Sequence, residues 1–165
     1  MVSYTKKIAV VAVLTTFAVI FQIIPVVFSH KYVLLTMFSV IPIYLITCAS
    51  GPLGLIAFVI AGISIFGISS HEGLFFLFTN GPVGLVLGLG GYFKKQNLAI
   101  AFLTGLILTI TLSLMNFVMG IKVFGTNIPG PLGVQIISIF LFSFIYSLIY
   151  SYIAGFIYRF FLKRR

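Results

Sequence analysis

The sequence predicts an all-α integral membrane protein, a bundle of six transmembrane helices with both the N- and C-termini in the cytoplasm. Of its 165 residues, 61% are apolar and only 7% are charged, whereas soluble domains are about 45–50% apolar and about 25% charged. The mean hydropathy is +1.29. This composition excludes a soluble enzyme, a disordered tail and a nucleic-acid-binding domain. The length predicts a single six-helix membrane domain over residues 1–165, with no room for a separate ATPase.

Six apolar stretches are long enough to cross a bilayer, which takes about 20 residues of helix. The first follows Lys6 and Lys7 and resembles a signal peptide. It is longer than a signal core and no small-residue cleavage site follows it, so we expect a retained span. Turn residues or charges separate the stretches. The predicted spans are residues 8–28, 32–49, 52–68, 74–93, 98–120 and 131–160.

Charge predicts the orientation of these spans. The net charge is +9, from ten Lys and Arg residues against one acid, Glu72. Basic residues favour the cytoplasmic side of a membrane. With the N-terminus inside, only Lys31 and Lys122 fall outside. The predicted inner basic residues are Lys6, Lys7, Lys94, Lys95, Arg159, Lys163, Arg164 and Arg165.

Four amide side chains interrupt the apolar spans, and all four fall in the predicted outer half. Polar groups within spans are costly and often mark function. Helical phase puts Tyr146 on the same stripe of the sixth span as one of the amides. These residues are candidates for a ligand pocket, and the alternative is that they join helices by hydrogen bonds. The four amides are Gln22, Asn80, Asn116 and Gln135.

The loop before the fourth span contains His71 and Glu72, which are candidates to cap such a pocket. His71-Glu72 lacks the second histidine of a zinc-protease helix, because position 75 is Phe. One Cys, two His and one Glu make no plausible metal cage. We therefore expect neither a metal nor another cofactor, and no enzymatic activity.

The fourth predicted span contains Gly81-Pro82-Val83-Gly84. A proline inside a helix frees a backbone carbonyl one turn earlier, and lipid offers no donor to replace the lost bond. The sequence therefore predicts a break in this span. The break is either a packed kink or a functional one beside a watery cavity.

Three segments of the chain resemble the substrate-binding S-components of energy-coupling factor (ECF) vitamin transporters. They are Lys6–Thr16, the helix from Phe38 through Ile41-Pro42 to Gly51-Pro52-Leu53-Gly54, and Gly81-Pro82-Val83-Gly84 with its following glycines. The resemblance implies a multi-pass protein of the bacterial plasma membrane. It also implies a vitamin-like small-molecule substrate captured from outside, and a transmembrane coupling subunit driven by two cytoplasmic ATPases.

The family's docking signature is a pair of alanines four residues apart on the first helix. Here the matching residues are Ala12 and Thr16, and Ala9 lies on the same stripe. The resemblance implies that this stripe contacts the coupling subunit, and the alternative is that it packs against a span of the same chain. For the whole protein, the alternative is a non-transporting scaffold that resembles rod-shape-determining assembly proteins. The basic outer loops favour a neutral or anionic ligand.

Overall fold

A computed structural model describes residues 4–93, 98–124 and 129–157 of the chain. Within these ranges the chain is helical apart from short connections, with no β-strand. Six of its helices are long and apolar enough to cross a membrane, which confirms the all-α prediction with six candidate spans. We number them in chain order as α1 Thr5–Val27, α2 Lys31–Ala49, α3 Gly51–Ile68, α4 Ser70–Tyr92, α5 Leu98–Val118 and α6 Leu132–Ile157.

The helices form two compact units, Met1–Lys95 with α1 to α4 and Gln96–Arg165 with α5 and α6. We call these the first and the second unit. Lys94, Lys95 and the basic residues of 158–165 lie outside the described residues. The cytoplasmic location of the termini therefore stays a prediction.

The core of the first unit is apolar and rich in small residues. Its fully buried members come from α1, α2, α3 and α4. Small side chains let helix axes approach closely, which is the main source of packing energy where lipid removes the hydrophobic drive between helices. The core residues are Ala18, Ile43, Ile46, Ala57, Ala61, Ile65 and Phe76.

Two glycines bring α4 directly against α2. A Cβ atom on Gly84 would lie 2.9 Å from the carbonyl oxygen of Val40, and one on Gly88 would overlap the side chain of Thr47. Because these glycines are four residues apart, they lie on one face of α4. The glycine run that follows Pro82 is therefore the contact surface for α2.

In the second unit, α5 packs on α6 through similarly small residues. A Cβ atom on Gly105 would lie 3.3 Å from the Cα of Phe144, and the Ser147 hydroxyl donates to the carbonyl of Ala101. Ser143 is fully buried, and its hydroxyl has no hydrogen-bond partner among the described residues.

Three segments depart from α-helical geometry inside the spans. Residues His30–Ser39 form a 3-10 helix that leads into the α-helical part of α2. Residues Phe76–Asn80 of α4 and Leu114–Val118 of α5 are π-helical turns. Single π-turns inside α-helices are rare and are frequently found at functional sites.

The π-turn in α4 lies immediately before Gly81-Pro82. The N–H of Gly81 donates to the carbonyl of Phe76, five residues earlier, and the Thr79 hydroxyl donates to the carbonyl of Phe75. The predicted break is thus a local widening, and the helix continues through it. The wider turn accommodates a proline that has no N–H to offer.

Candidate functional site

Five polar residues of the first unit lie together between α1, α2 and α4, and we call them the polar cluster. Each is at most 8% exposed, although each belongs to a span that is otherwise apolar. Buried polar groups are tolerated in such surroundings only when they are hydrogen-bonded. The members of the polar cluster are Gln22, Thr36, Ser39, Glu72 and Asn80.

Gln22 on α1 is the centre of the polar cluster. Its Oε1 accepts hydrogen bonds from Ser39 Oγ at 3.0 Å and from Asn80 Nδ2 at 2.9 Å. Its Nε2 donates to Glu72 Oε2 at 2.9 Å. One side chain of 1% exposure therefore joins α1 to α2 and twice to α4.

Asn80 closes the polar cluster from the π-turn of α4. Besides Gln22, its Nδ2 donates to the backbone carbonyl of Thr36 at 3.0 Å. The Thr36 hydroxyl donates to the carbonyl of Val33 at 2.7 Å. Both bonds involve the 3-10 segment of α2, so the two irregular segments of the first unit are joined by one amide.

Glu72 lies in the first turn of α4, where the Ser69 hydroxyl caps the helix by accepting from the Glu72 N–H at 3.4 Å. The sequence alone suggests a loop here, whereas the helix already begins at Ser70. A carboxylate in the first helical turn is favoured by the helix dipole. This start of α4 turns Glu72 into the unit, where it is 6% exposed.

The neighbouring His71 is largely outside the polar cluster. Its side chain is 67% exposed, and its Nδ1 lies 3.7 Å from Glu72 Oε1. Its ring lies against Phe75, with ring centroids 4.7 Å apart. His71 therefore borders the polar cluster on the exposed side of Glu72.

Four of the seven predicted substrate-binding residues thus come together in the first unit: Gln22, His71, Glu72 and Asn80. Sequence reasoning missed Ser39 and Thr36, which also belong to the polar cluster. Hydroxyl residues are common in spans, where they usually bond to their own helix. The one sequence feature that sets Ser39 apart is its position shortly before Ile41-Pro42. This feature alone does not predict a buried hydrogen bond.

The other three predicted residues lie in the second unit. Asn116 is half-buried in the π-turn of α5. Gln135 Nε2 donates to the carbonyl of Gly130 at 3.0 Å and so ties down the start of α6. The Tyr146 ring lies between those of Phe142 and Tyr150, at centroid distances of 5.8 and 4.7 Å.

The predicted docking residues Ala9, Ala12 and Thr16 are exposed on α1. Ala12 and Thr16 line a groove of about 520 Å³ between α1 and α3, which Ala57 and Ser64 line from the other side. The Thr16 hydroxyl donates to the carbonyl of Ala12 at 3.0 Å, so it is satisfied within its own helix. The groove is therefore mostly apolar, with the small residues Ala12, Thr16, Ala57 and Ser64 among larger aliphatic side chains.

Comparison with known proteins adds no family to these observations. No family model matches the chain, and no curated protein or solved structure shows significant similarity to it. The polar cluster and the groove are therefore the two features of the protein from which a function can be inferred.

Proposed function

We propose that the protein is the substrate-binding subunit of an ECF-type importer, which captures a vitamin-like small molecule from outside a bacterial plasma membrane. The polar cluster is the observation that carries this proposal. Buried polar and ionisable side chains within spans are rare, and they commonly form substrate sites where helices are locally irregular. Here Gln22, Glu72 and Asn80 meet beside a π-turn and a 3-10 segment.

The proposed orientation has both termini in the cytoplasm, as the basic residues predict. The end of α1 at Val27 and the starts of α2 and α4 then face outward. Glu72, in the first turn of α4, becomes the member of the polar cluster nearest the outside. A substrate arriving from outside meets this carboxylate first.

The groove between α1 and α3 supports the second half of the proposal, docking onto a transmembrane coupling subunit. Exposed small residues allow a partner helix to approach closely, and van der Waals packing is then the main attraction. Ala12 and Thr16 offer such a surface. Two cytoplasmic ATPases bound to that partner supply the energy for release.

Co-purification tests the proposal directly. The tagged protein is extracted from its native membranes in mild detergent, and its partners are identified by mass spectrometry. We expect an integral coupling subunit together with two ATPases. Recovery with cell-wall or division proteins and no ATPase would overturn the proposal.

One observation favours a second candidate, the scaffold that resembles rod-shape-determining assembly proteins. Both polar ends of the Gln22 amide are hydrogen-bonded within the polar cluster. A scaffold needs the polar cluster only to hold its own helices together. A ligand-binding protein must in addition exchange some of these bonds for bonds to its substrate. The scaffold hypothesis therefore predicts that the protein binds no small-molecule ligand.

A further inference from the structure

The chain has one acidic residue, and its carboxylate is buried. Glu72 is 6% exposed and lies in the first turn of α4, whose span is largely apolar. An ionised carboxylate in such surroundings is strongly disfavoured unless a positive charge or several donors compensate it. The identity of its partners therefore indicates what the site is built to receive.

Within the protein this compensation is partial. The dipole at the start of α4 favours the carboxylate. Oε2 accepts a hydrogen bond from the neutral Gln22 amide at 2.9 Å. Oε1 accepts no hydrogen bond from the residues that the structure describes, and the one basic group within 4.0 Å of it there is His71 Nδ1 at 3.7 Å. His71 carries a charge only when protonated, and its 67% exposure means that water screens that charge.

We propose that Glu72 Oε1 receives a cationic nitrogen of the substrate, such as a protonated amine or an amidinium-like group. This inference rests on the proposed function and names the substrate class of that site. A charge-assisted N–H···O bond would fill the unused acceptor and neutralise the carboxylate. An anionic substrate would be repelled, and a neutral one would leave the charge uncompensated. The basic outer loops favour a neutral or anionic ligand, but exposed charges are screened over about 10 Å, whereas the Glu72 side chain is only 8% exposed and is screened less.

A thermal-unfolding assay on the purified full chain tests this substrate class. Cys48 is the only cysteine and is half-buried on α2, so a thiol-reactive fluorescent dye reports unfolding. Two small-molecule fractions of yeast extract serve as probes. The retained fraction binds to a cation exchanger, and the unretained fraction passes through it. Both are applied at matched ionic strength. Sodium chloride and ammonium chloride form separate arms, because an inorganic cation shares the charge of an organic one.

Two variants accompany the wild type. Glu72→Gln keeps an oxygen that accepts from Gln22 and removes the charge. Lys31→Gln is the matched control, because it changes one charge at an exposed position outside the polar cluster. We expect the retained fraction to stabilise the wild type and Lys31→Gln. With Glu72→Gln, the amount needed for the same stabilisation should rise at least about tenfold, as expected when one partner of a buried charge pair is removed.

The other outcomes separate the two levels of the proposal. If the unretained fraction stabilises the wild type and Glu72→Gln equally, the proposal of a cationic substrate is wrong. The proposed capture of a small molecule would still stand. Equal stabilisation by the two salts, lost in Glu72→Gln, would overturn the organic cation in favour of an inorganic one. If no fraction stabilises the wild type, both the substrate class and the proposed capture of a small molecule are wrong. Should Glu72→Gln fail to fold, pre-incubating the wild type with a carboxylate-modifying carbodiimide replaces it, and the retained fraction is expected to protect against modification.

Discussion

At the scale of single residues, Gln22 has the largest consequences for the first unit. Its amide uses its oxygen twice and its nitrogen once, and the three partner groups belong to Ser39, Asn80 and Glu72. A hydrogen bond gained in folding stabilises by about 1 kcal/mol, whereas a buried group left without its partner costs about 1–3 kcal/mol. The loss of this one side chain would leave several such groups unsatisfied at once.

Gln22→Leu should therefore destabilise the protein strongly, because leucine fills the space and satisfies none of the three partners. We expect a loss of about 2–4 kcal/mol, or a fall in unfolding temperature of about 5 °C or more. Gln135→Leu is the control, since that amide is only half-buried and bonds to the nearby carbonyl of Gly130. Dye labelling of Cys48 during heating measures both variants. Equal shifts would mean that Gln22 has no special role in holding the unit together.

At the scale of helices, the contact between α2 and α4 depends on glycine. Gly84 and Gly88 let the two backbones approach to a distance that no larger residue permits at either position. The same approach brings the π-turn of α4 beside the 3-10 segment of α2, where Asn80 reaches the carbonyl of Thr36. The glycines that let α2 and α4 approach closely therefore also help to bring the polar cluster together.

Gly88→Ala tests this contact with the smallest substitution available. The added Cβ overlaps Thr47, so the helices must separate and the protein should lose about 1–3 kcal/mol. Gly67→Ala on α3 is the matched control, because nothing lies within 4 Å of its added Cβ. That variant should be neutral or gain up to about 1 kcal/mol from the better helix propensity of alanine. Similar unfolding temperatures for the two variants would contradict the close packing.

The helices show which features of the structure can be predicted from the sequence. Length and hydropathy suffice to predict six candidate spans, since crossing a bilayer requires about 20 apolar residues whatever packs beside them. From the sequence, Gln22 and Asn80 were predicted to lie in the outer half of the membrane, and Glu72 was predicted to lie in an outer loop that caps a pocket. Which helix faces which neighbour depends on side-chain packing, and hydropathy contains no record of it. The start of α4 at Ser70 was missed because Ser69 and His71 read as turn residues, although a serine before a helix is also a common N-cap.

At the scale of the whole molecule, orientation decides whether the polar cluster can receive anything from outside. We predict that a membrane-impermeant maleimide labels single cysteines introduced at Lys31 or Lys122 in intact cells, in a Cys48→Ser background. A cysteine introduced at Phe93, at the other end of α4, should be labelled only after the membrane is permeabilised. All three positions are exposed, so accessibility within the protein does not limit the reaction. The reverse pattern would put the N-terminus outside and Glu72 toward the cytoplasm.

Docking onto a coupling subunit is also a property of the whole molecule. A variant that cannot dock should still bind its ligand but should not support uptake. Ala12→Trp would project a large ring from the groove between α1 and α3, where a partner helix needs small side chains. The polar cluster does not include this position, so ligand binding by the purified variant should match the wild type. Uptake by cells that contain the complete complex should fall at least about tenfold, equivalent to about 1.4 kcal/mol of docking free energy.

Val13→Trp is the control for this prediction, because it adds the same ring to α1 at a position that is 55% exposed and does not line the groove. We expect it to bind ligand and support uptake as the wild type does. Both variants are compared by ligand binding in detergent and by uptake in cells at matched expression. Normal uptake with Ala12→Trp would exclude the groove as the docking surface, and equal losses in both variants would indicate a general effect of a bulky ring on α1. A selective loss of uptake with Ala12→Trp, with ligand binding intact, would assign delivery to the groove and show that capture uses a different surface of the protein.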